Sequence, residues 1–146
     1  MTDRADFYVL PTEATDERGR FLCKVVEKVY EMGRRIHIHA PSESDADRLD
    51  QLLWEFRPDS FIPHDLLQRD GDAAITIGWG PQRPEHRDVF VNLELAAPTD
   101  ALEFERIIEV VIQQPDILAA TRNNYRLYQQ QQVDIKMHDM RRQRAR

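Results

Sequence analysis

Two β-forming runs bracket one amphipathic helix within the first forty residues, and that order restricts the fold more than any other feature of the chain. Phe7-Tyr8-Val9-Leu10 is a short run of β-formers stopped by Pro11, which reads as a buried first strand. Phe21, Leu22, Val25, Val26, Val29 and Tyr30 then recur at helical spacing. Thr15 is the expected N-cap of that helix and Gly33 its left-handed stop. Arg35-Ile36-His37-Ile38-His39 alternates with period two and ends at Pro41. Strand, helix and strand at this spacing favour a right-handed parallel βαβ unit.

The remaining pattern continues in kind. Ser42 or Ser44 is the expected cap of a second helix carrying Ala46, Leu49, Leu52, Leu53 and Phe56. Residues 57–72 contain Pro58, Pro63 and Gly71 and read as a long connection. Residues 73–77 and 88–95 read as strands, the second with Val89, Val91, Leu93 and Leu95 on one face. Pro98-Thr99-Asp100 is expected to open a third helix holding Leu102, Ile107, Ile108, Val111 and Ile112. Pro115 suits the first position of a fourth helix reaching Gln130. The expected architecture is a single α/β domain over residues 1–132: a Rossmann-like, mostly parallel sheet covered by helices on both faces. Residues 133–146 are expected to form a flexible basic C-terminal tail.

Composition narrows the function classes. The 146 residues carry a net charge of −6, and a single cysteine, Cys23, cannot form an internal disulfide. No apolar stretch approaches the roughly 18–20 residues that span a bilayer. The opening Met1-Thr2-Asp3-Arg4 lacks a signal-peptide layout, so the expectation is a soluble cytoplasmic protein with no membrane partner. Residues 136–146 hold a local +4, which leaves −10 on the first 135. That acidic body disfavours direct contact with duplex DNA, while the basic end offers an alternative reading as a nucleic-acid arm.

Catalytic and cofactor chemistry is thinly represented. The turn after the first strand, Pro11-Thr12-Glu13-Ala14-Thr15-Asp16, has no glycine to let amides approach a phosphate, and no P-loop pattern occurs anywhere. No cofactor is expected. Cys23 lies among apolar helix neighbours and reads as a core thiol. His37 and His39 share a strand face with Arg35, which is either a weak metal-ligand pair or a solvated, half-buried polar face. A small nucleotide- or metal-dependent enzyme using the α/β crevice therefore stands only as the alternative. His64 and Asp65 adjoin with no nucleophile tied to them by a motif.

Recognition features are richer. The segment from Trp54 to His64 holds three aromatics and two prolines in eleven residues. Prolines stiffen such a loop and aromatics give contact area at low entropic cost. Trp54 either finishes the core side of the second helix or anchors a partner, and Phe61 is the better surface anchor. In the fourth helix, Arg122, Tyr125 and Arg126 stand at i, i+3 and i+4 and so share one face. Two guanidiniums beside an aromatic ring suit a carboxylate attached to an apolar group. The competing reading is a solvated face with the tyrosine packed on the sheet.

Over roughly residues 6–130 the chain resembles the chi subunit family of the bacterial DNA polymerase III holoenzyme. The resemblance rests on Phe7-Tyr8-Val9-Leu10, Arg48-Leu49-Asp50 leading to Leu53-Trp54, and Ser60-Phe61-Ile62-Pro63-His64. It continues through Ile77-Gly78-Trp79, Arg87-Asp88-Val89 and Arg122-Asn123-Asn124-Tyr125-Arg126. It implies a non-catalytic accessory subunit of the clamp-loader complex that acts in DNA replication and is found at replication forks. By the same resemblance such a subunit binds the acidic C-terminal tail of single-stranded-DNA-binding protein, which ends in phenylalanine. It also pairs one to one with the psi subunit, its tether to the clamp loader, or binds a helicase-like partner. Arg122, Tyr125, Arg126 and Trp54 match positions of the tail site. Phe61 matches the psi- or helicase-binding phenylalanine, with Ile62, Pro63 and His64 beside it. Gln113-Gln114 depart from the family by standing where apolar residues adjoin the tail pocket, which implies a more polar wall.

Overall fold

The computed structural model describes residues 1–56, 62–69 and 73–141. Seven strands form one all-parallel sheet: β1 (Arg4–Val9), β2 (Ile36–His39), β3 (His64–Leu66), β4 (Ile75–Gly78), β5 (Val89–Asn92), β6 (Arg106–Val111) and β7 (Asp134–Asp139). Their order across the sheet is β3-β4-β2-β5-β6-β1-β7. Three helices cover it: α1 (Thr15–Glu31), α2 (Glu43–Glu55) and α3 (Pro115–Gln130). An all-parallel sheet needs crossovers on its faces, so its central strands are buried on both sides. The residues show it: Ile36, His37, Ile38 and His39 are all buried, as are all four residues of β4 and of β5. None of the helices is long and apolar enough to cross a membrane.

The two faces carry separate cores. α1 and α2 press Leu22, Val26, Leu49 and Leu53 onto Ile38, Ile77, Val91 and Ile108. On the other face, α3 contributes Tyr128 to a cluster with Phe7, Phe90, Phe104 and Ile107. Local signals behave as expected at several ends. Ser42 accepts from the Asp45 amide to cap α2, Gly33 turns at φ +82, and Pro115 stands at the start of α3. The cap of α1 is Ala14 rather than Thr15, and it makes no side-chain cap bond. The Cys23 thiol is buried in the α1–α2 core, and burial pushes it up to about 12.

Four expectations are corrected. Residues 99–112 are not a helix but a short 3-10 turn, Thr99–Glu103, followed by β6. Ile107, Ile108, Val110 and Val111 are buried on both faces of the sheet, and a strand covered twice shows a continuous apolar run that mimics helical spacing. The supposed connection at 57–72 contains β3, which has three residues and hence almost no periodicity. Residues 134–139, assigned from sequence to the terminal tail, form β7 beside β1. Finally, His37 and His39 are not a solvated face. They lie under Phe90 with 0% and 2% exposure, because β2 is central.

Two buried carboxylates place the elements that matter below. Asp6 on β1 accepts from Arg4 (2.8 Å), Arg106 on β6 (2.8 Å) and His138 on β7 (2.8 Å), and the His138 ring stacks on Tyr8 at 4.4 Å. Burial pushes the Asp6 carboxyl up, but the hydrogen bonds from Arg4 and His138 and the Arg106 charge outweigh it and hold the group below its ordinary range. Glu109 on β6 lies under α3, where Tyr128 donates to it at 2.5 Å and Asn92 at 3.2 Å. Complete burial drives Glu109 up to about 7 despite those donors and the Arg18 charge. Asn124 completes the seat of α3: it accepts from the Ala97 amide (3.1 Å) and donates to the Leu95 carbonyl (2.9 Å).

The two carboxylates carry opposite linkage signs. Asp6, with its depressed pKa, stabilises the fold above the ordinary aspartate range, and the contribution is lost as pH falls through that range. Asp6→Asn should cost about 3–5 kcal/mol at pH 7 in urea unfolding, since it leaves Arg106 buried without its countercharge. Glu109 binds its proton more tightly folded than unfolded, so its contribution is greatest below pH 4.5 and is lost as pH rises to about 7. Glu109→Gln keeps the hydrogen-bonding shape and removes the ionisation. It should gain about 3 kcal/mol relative to wild type between pH 4.5 and 8, and a constant difference across that range would contradict the assignment.

Candidate functional site

α3 crosses from β6 to β7 over the face of β1, and its sequence sorts its side chains by angle. Asn124 and Tyr128 point inward and are buried. Tyr125, one residue round from Asn124, is half-buried with its ring 5.9 Å from that of Phe7. Arg122 and Arg126, at i−3 and i+1 from Tyr125, are exposed. Neither guanidinium makes a hydrogen bond or ion pair within the described residues, whereas Arg34, Arg83, Arg141 and Arg87 are held by Asp88, Asp100, Asp139 and Glu103 respectively. The sequence-predicted trio is therefore brought together on one flank of one helix.

The structure adds a floor that the sequence reading missed. Phe7 pairs laterally with Met137 on β7, and residues paired across a sheet share a face. Met137 thus lies on the α3 side, one strand out from Phe7, and is 50% exposed. Phe7 and Met137 share the sheet face covered by α3, the helix that carries Tyr125 and the two arginines. Met137 could be found only by recognising β7, since the alternation Ile135, Met137 is its sole sequence signal.

Trp54 stands elsewhere. α2 covers the opposite face of the sheet near its β3–β4 edge, so Trp54 does not share a pocket with Tyr125. It is 54% exposed, and its ring meets His64 at 4.8 Å. Trp54 thereby joins the second predicted group. Within that group Ile62 and His64 are buried, and Pro63 is half-buried. His64 donates from Nδ1 to the Ile62 carbonyl (2.7 Å) and reaches Asp50 from Nε2 (3.3 Å), so it braces the segment rather than presenting a contact. Phe61 lies outside the described residues.

The departures and the rival chemistry can now be located. The Gln113 side chain donates to the Leu10 carbonyl (3.0 Å) and Gln114 to Glu13 (2.8 Å). Both amides stitch the loops after β6 and β1 together, so they are spent on the switch point of the sheet rather than facing α3's arginines. His37 bonds Thr76 at 2.8 Å, and burial, with Arg83 nearby, drives its imidazole down to about 3. His39 is lowered too, chiefly by burial, with Glu94 3.4 Å away opposing the shift. Both rings are neutral packing groups at ordinary pH. Among the described residues no group of three or more His, Cys, Asp or Glu side chains is arranged to hold a metal ion. Of the basic end, Lys136 pairs with Asp134 and Arg141 with Asp139, while Arg142, Arg144 and Arg146 lie outside the described residues.

Comparison with known proteins follows the same lines. The sequence matches the family described as "DNA polymerase III chi subunit, HolC" over residues 1–136. It is 36% identical over 135 residues to a DNA polymerase III subunit chi of Pseudomonas aeruginosa, covering 92% of this chain and 95% of that protein. It is 28% identical to the subunit chi of Haemophilus influenzae (86% and 90% covered) and 27% identical to that of Escherichia coli (85% and 89% covered). The match runs through β1, α3 and the start of β7, the elements that build the arginine–tyrosine flank, and the chain belongs to the DNA polymerase III chi subunit family.

Proposed function

We propose that this chain is a non-catalytic link between the polymerase III clamp loader and DNA coated by single-stranded-DNA-binding protein. It makes that link by holding the coating protein's acidic C-terminal tail on the α3 flank. The observation that carries the reading is the pair of exposed guanidiniums, Arg122 and Arg126, without partners among the described residues and flanking a tyrosine seated on Phe7. The terminal phenylalanine ring lies against Tyr125 and Met137. Arg122 and Arg126 take its carboxylate and the acidic residues before it, through charge-assisted hydrogen bonds. The acidic body contributes to choice: it repels bare phosphate backbone, while the local basic flank accepts a carboxylate peptide.

A second surface, around Trp54 and the segment ending at His64, takes the psi subunit or a helicase-like partner. Its support is the exposed indole braced by a buried His64 on a proline-stiffened segment. The two surfaces occupy opposite faces of the sheet, so both partners can be bound at once.

Calorimetric titration with a synthetic acidic peptide ending in phenylalanine tests the first surface. Arg122→Ala should cost about 1.5–3 kcal/mol of binding. Amidating the peptide's carboxylate should cost a similar amount, and raised salt should weaken binding. Trp54→Ala should leave the peptide's affinity unchanged yet cost about 2 kcal/mol against psi or the helicase-like partner. Unaltered peptide affinity in both Arg122→Ala and Tyr125→Ala would sink the assignment.

A further inference from the structure

One groove among the described residues belongs to neither surface. This groove, of about 540 Å³, runs between α1 and α2, floored by Leu22, Leu49, Leu52 and Leu93. A Cβ at Gly19 would lie 2.7 Å from Leu52 Cδ2, so the bare glycine lets this leucine come close without shifting its side chain. The groove continues past Arg18 and Pro41 into a second hollow of about 460 Å³ lined by the segments that follow β5 and β6, which shares Thr15, Arg18, Pro41 and Leu93 with it. Leu95, 48% exposed, stands at the far end.

The charge around this trough has a definite sign. Its walls hold five carboxylates, Asp16, Asp45, Glu55, Glu94 and Asp116, against two arginines, Arg18 and Arg48. Arg18 is partly withdrawn, since its Nε donates to the Val110 carbonyl at 2.8 Å on the floor. α2 itself carries Glu43, Asp45, Asp47, Asp50 and Glu55 against Arg48 alone. This is the reverse of the α3 flank, so an acidic tail that suits α3 is repelled here. The geometry points to a docking site for a basic amphipathic helix of a partner protein. The apolar stripe of that helix covers Leu22, Leu49 and Leu52, and its lysines and arginines meet the acidic rim. A groove walled by two helices accepts a third by ridge-and-groove packing, which favours a helix over an extended strand.

The inference does not depend on the tail reading, and an NMR titration of the full chain separates them. The probes are two synthetic amphipathic helices of about five turns, one with leucines at i, i+3, i+4 and i+7 and lysines elsewhere, and one with the same leucine pattern and glutamates elsewhere. The leucine–lysine peptide should give saturable shifts at the amides of residues 15–22 and 45–55, and the leucine–glutamate peptide should not. Leu52→Glu should weaken binding about tenfold. Asp16→Lys combined with Glu55→Lys, both at exposed sites, should do so with the thermal midpoint unchanged. Arg122→Ala should leave this binding intact. Equal binding of the acidic peptide, shifts spread over the surface without saturation, or full affinity in the double lysine variant would each overturn the proposal.

Discussion

One buried carboxylate holds together the part of the sheet on which the arginine–tyrosine flank rests. Asp6 sits in β1 between β6 and β7 and accepts from Arg106 on one side and His138 on the other, with Arg4 from its own strand. A carboxylate taken out of water in this way is tolerated only because three donors surround it. Remove it and β7 loses the His138 tie to β1, while its outer edge pairs with nothing among the described residues. α3 hangs from the same strands: it leaves β6, crosses β1, and returns as β7. The arginine flank is therefore only as well defined as the β6-β1-β7 triplet beneath it.

Polar burial and surface charge divide the labour between the faces. Under α3, Glu109, Tyr128, Asn92 and Asn124 fix the helix in position and rotation, so that Arg122, Tyr125 and Arg126 emerge together. Across the sheet, α1 and α2 present an acidic, leucine-floored trough and the Trp54 edge. A chain with an unremarkable net charge thus presents surfaces of opposite character on its two faces. The sheet and its helix layers keep those two surfaces apart.

Much of this was legible in the residues, for identifiable reasons. α3 was placed from Pro115 to Gln130 because a proline start and a clear helical stripe agree. The Arg122–Tyr125–Arg126 face followed from helical geometry alone. Failures came where tertiary environment overrides local pattern. β6 is buried on both sides and so lacks alternation. β3 is too short to show any. β7 alternates weakly because it is an edge strand with exposed residues on both faces. The assignment of Trp54 to the arginine flank failed for a different reason: sequence likeness carries residues over by position, but it does not say which face of the sheet each helix covers. Met137 went unseen because its meaning depends on its neighbour Phe7, 130 positions earlier.

That last pairing has a consequence for how the molecule comes into being. β1 leaves the ribosome before its lateral partners β6 and β7, which follow about a hundred or more residues later. Such long-range parallel pairing is slow to form and cannot begin until the late strands exist. Phe7 is the floor of the flank and Tyr125 and Met137 are its sides, so no truncated nascent chain can display it. The arginine–tyrosine flank is thus assembled only in molecules whose β1 and β7, far apart along the chain, have found each other.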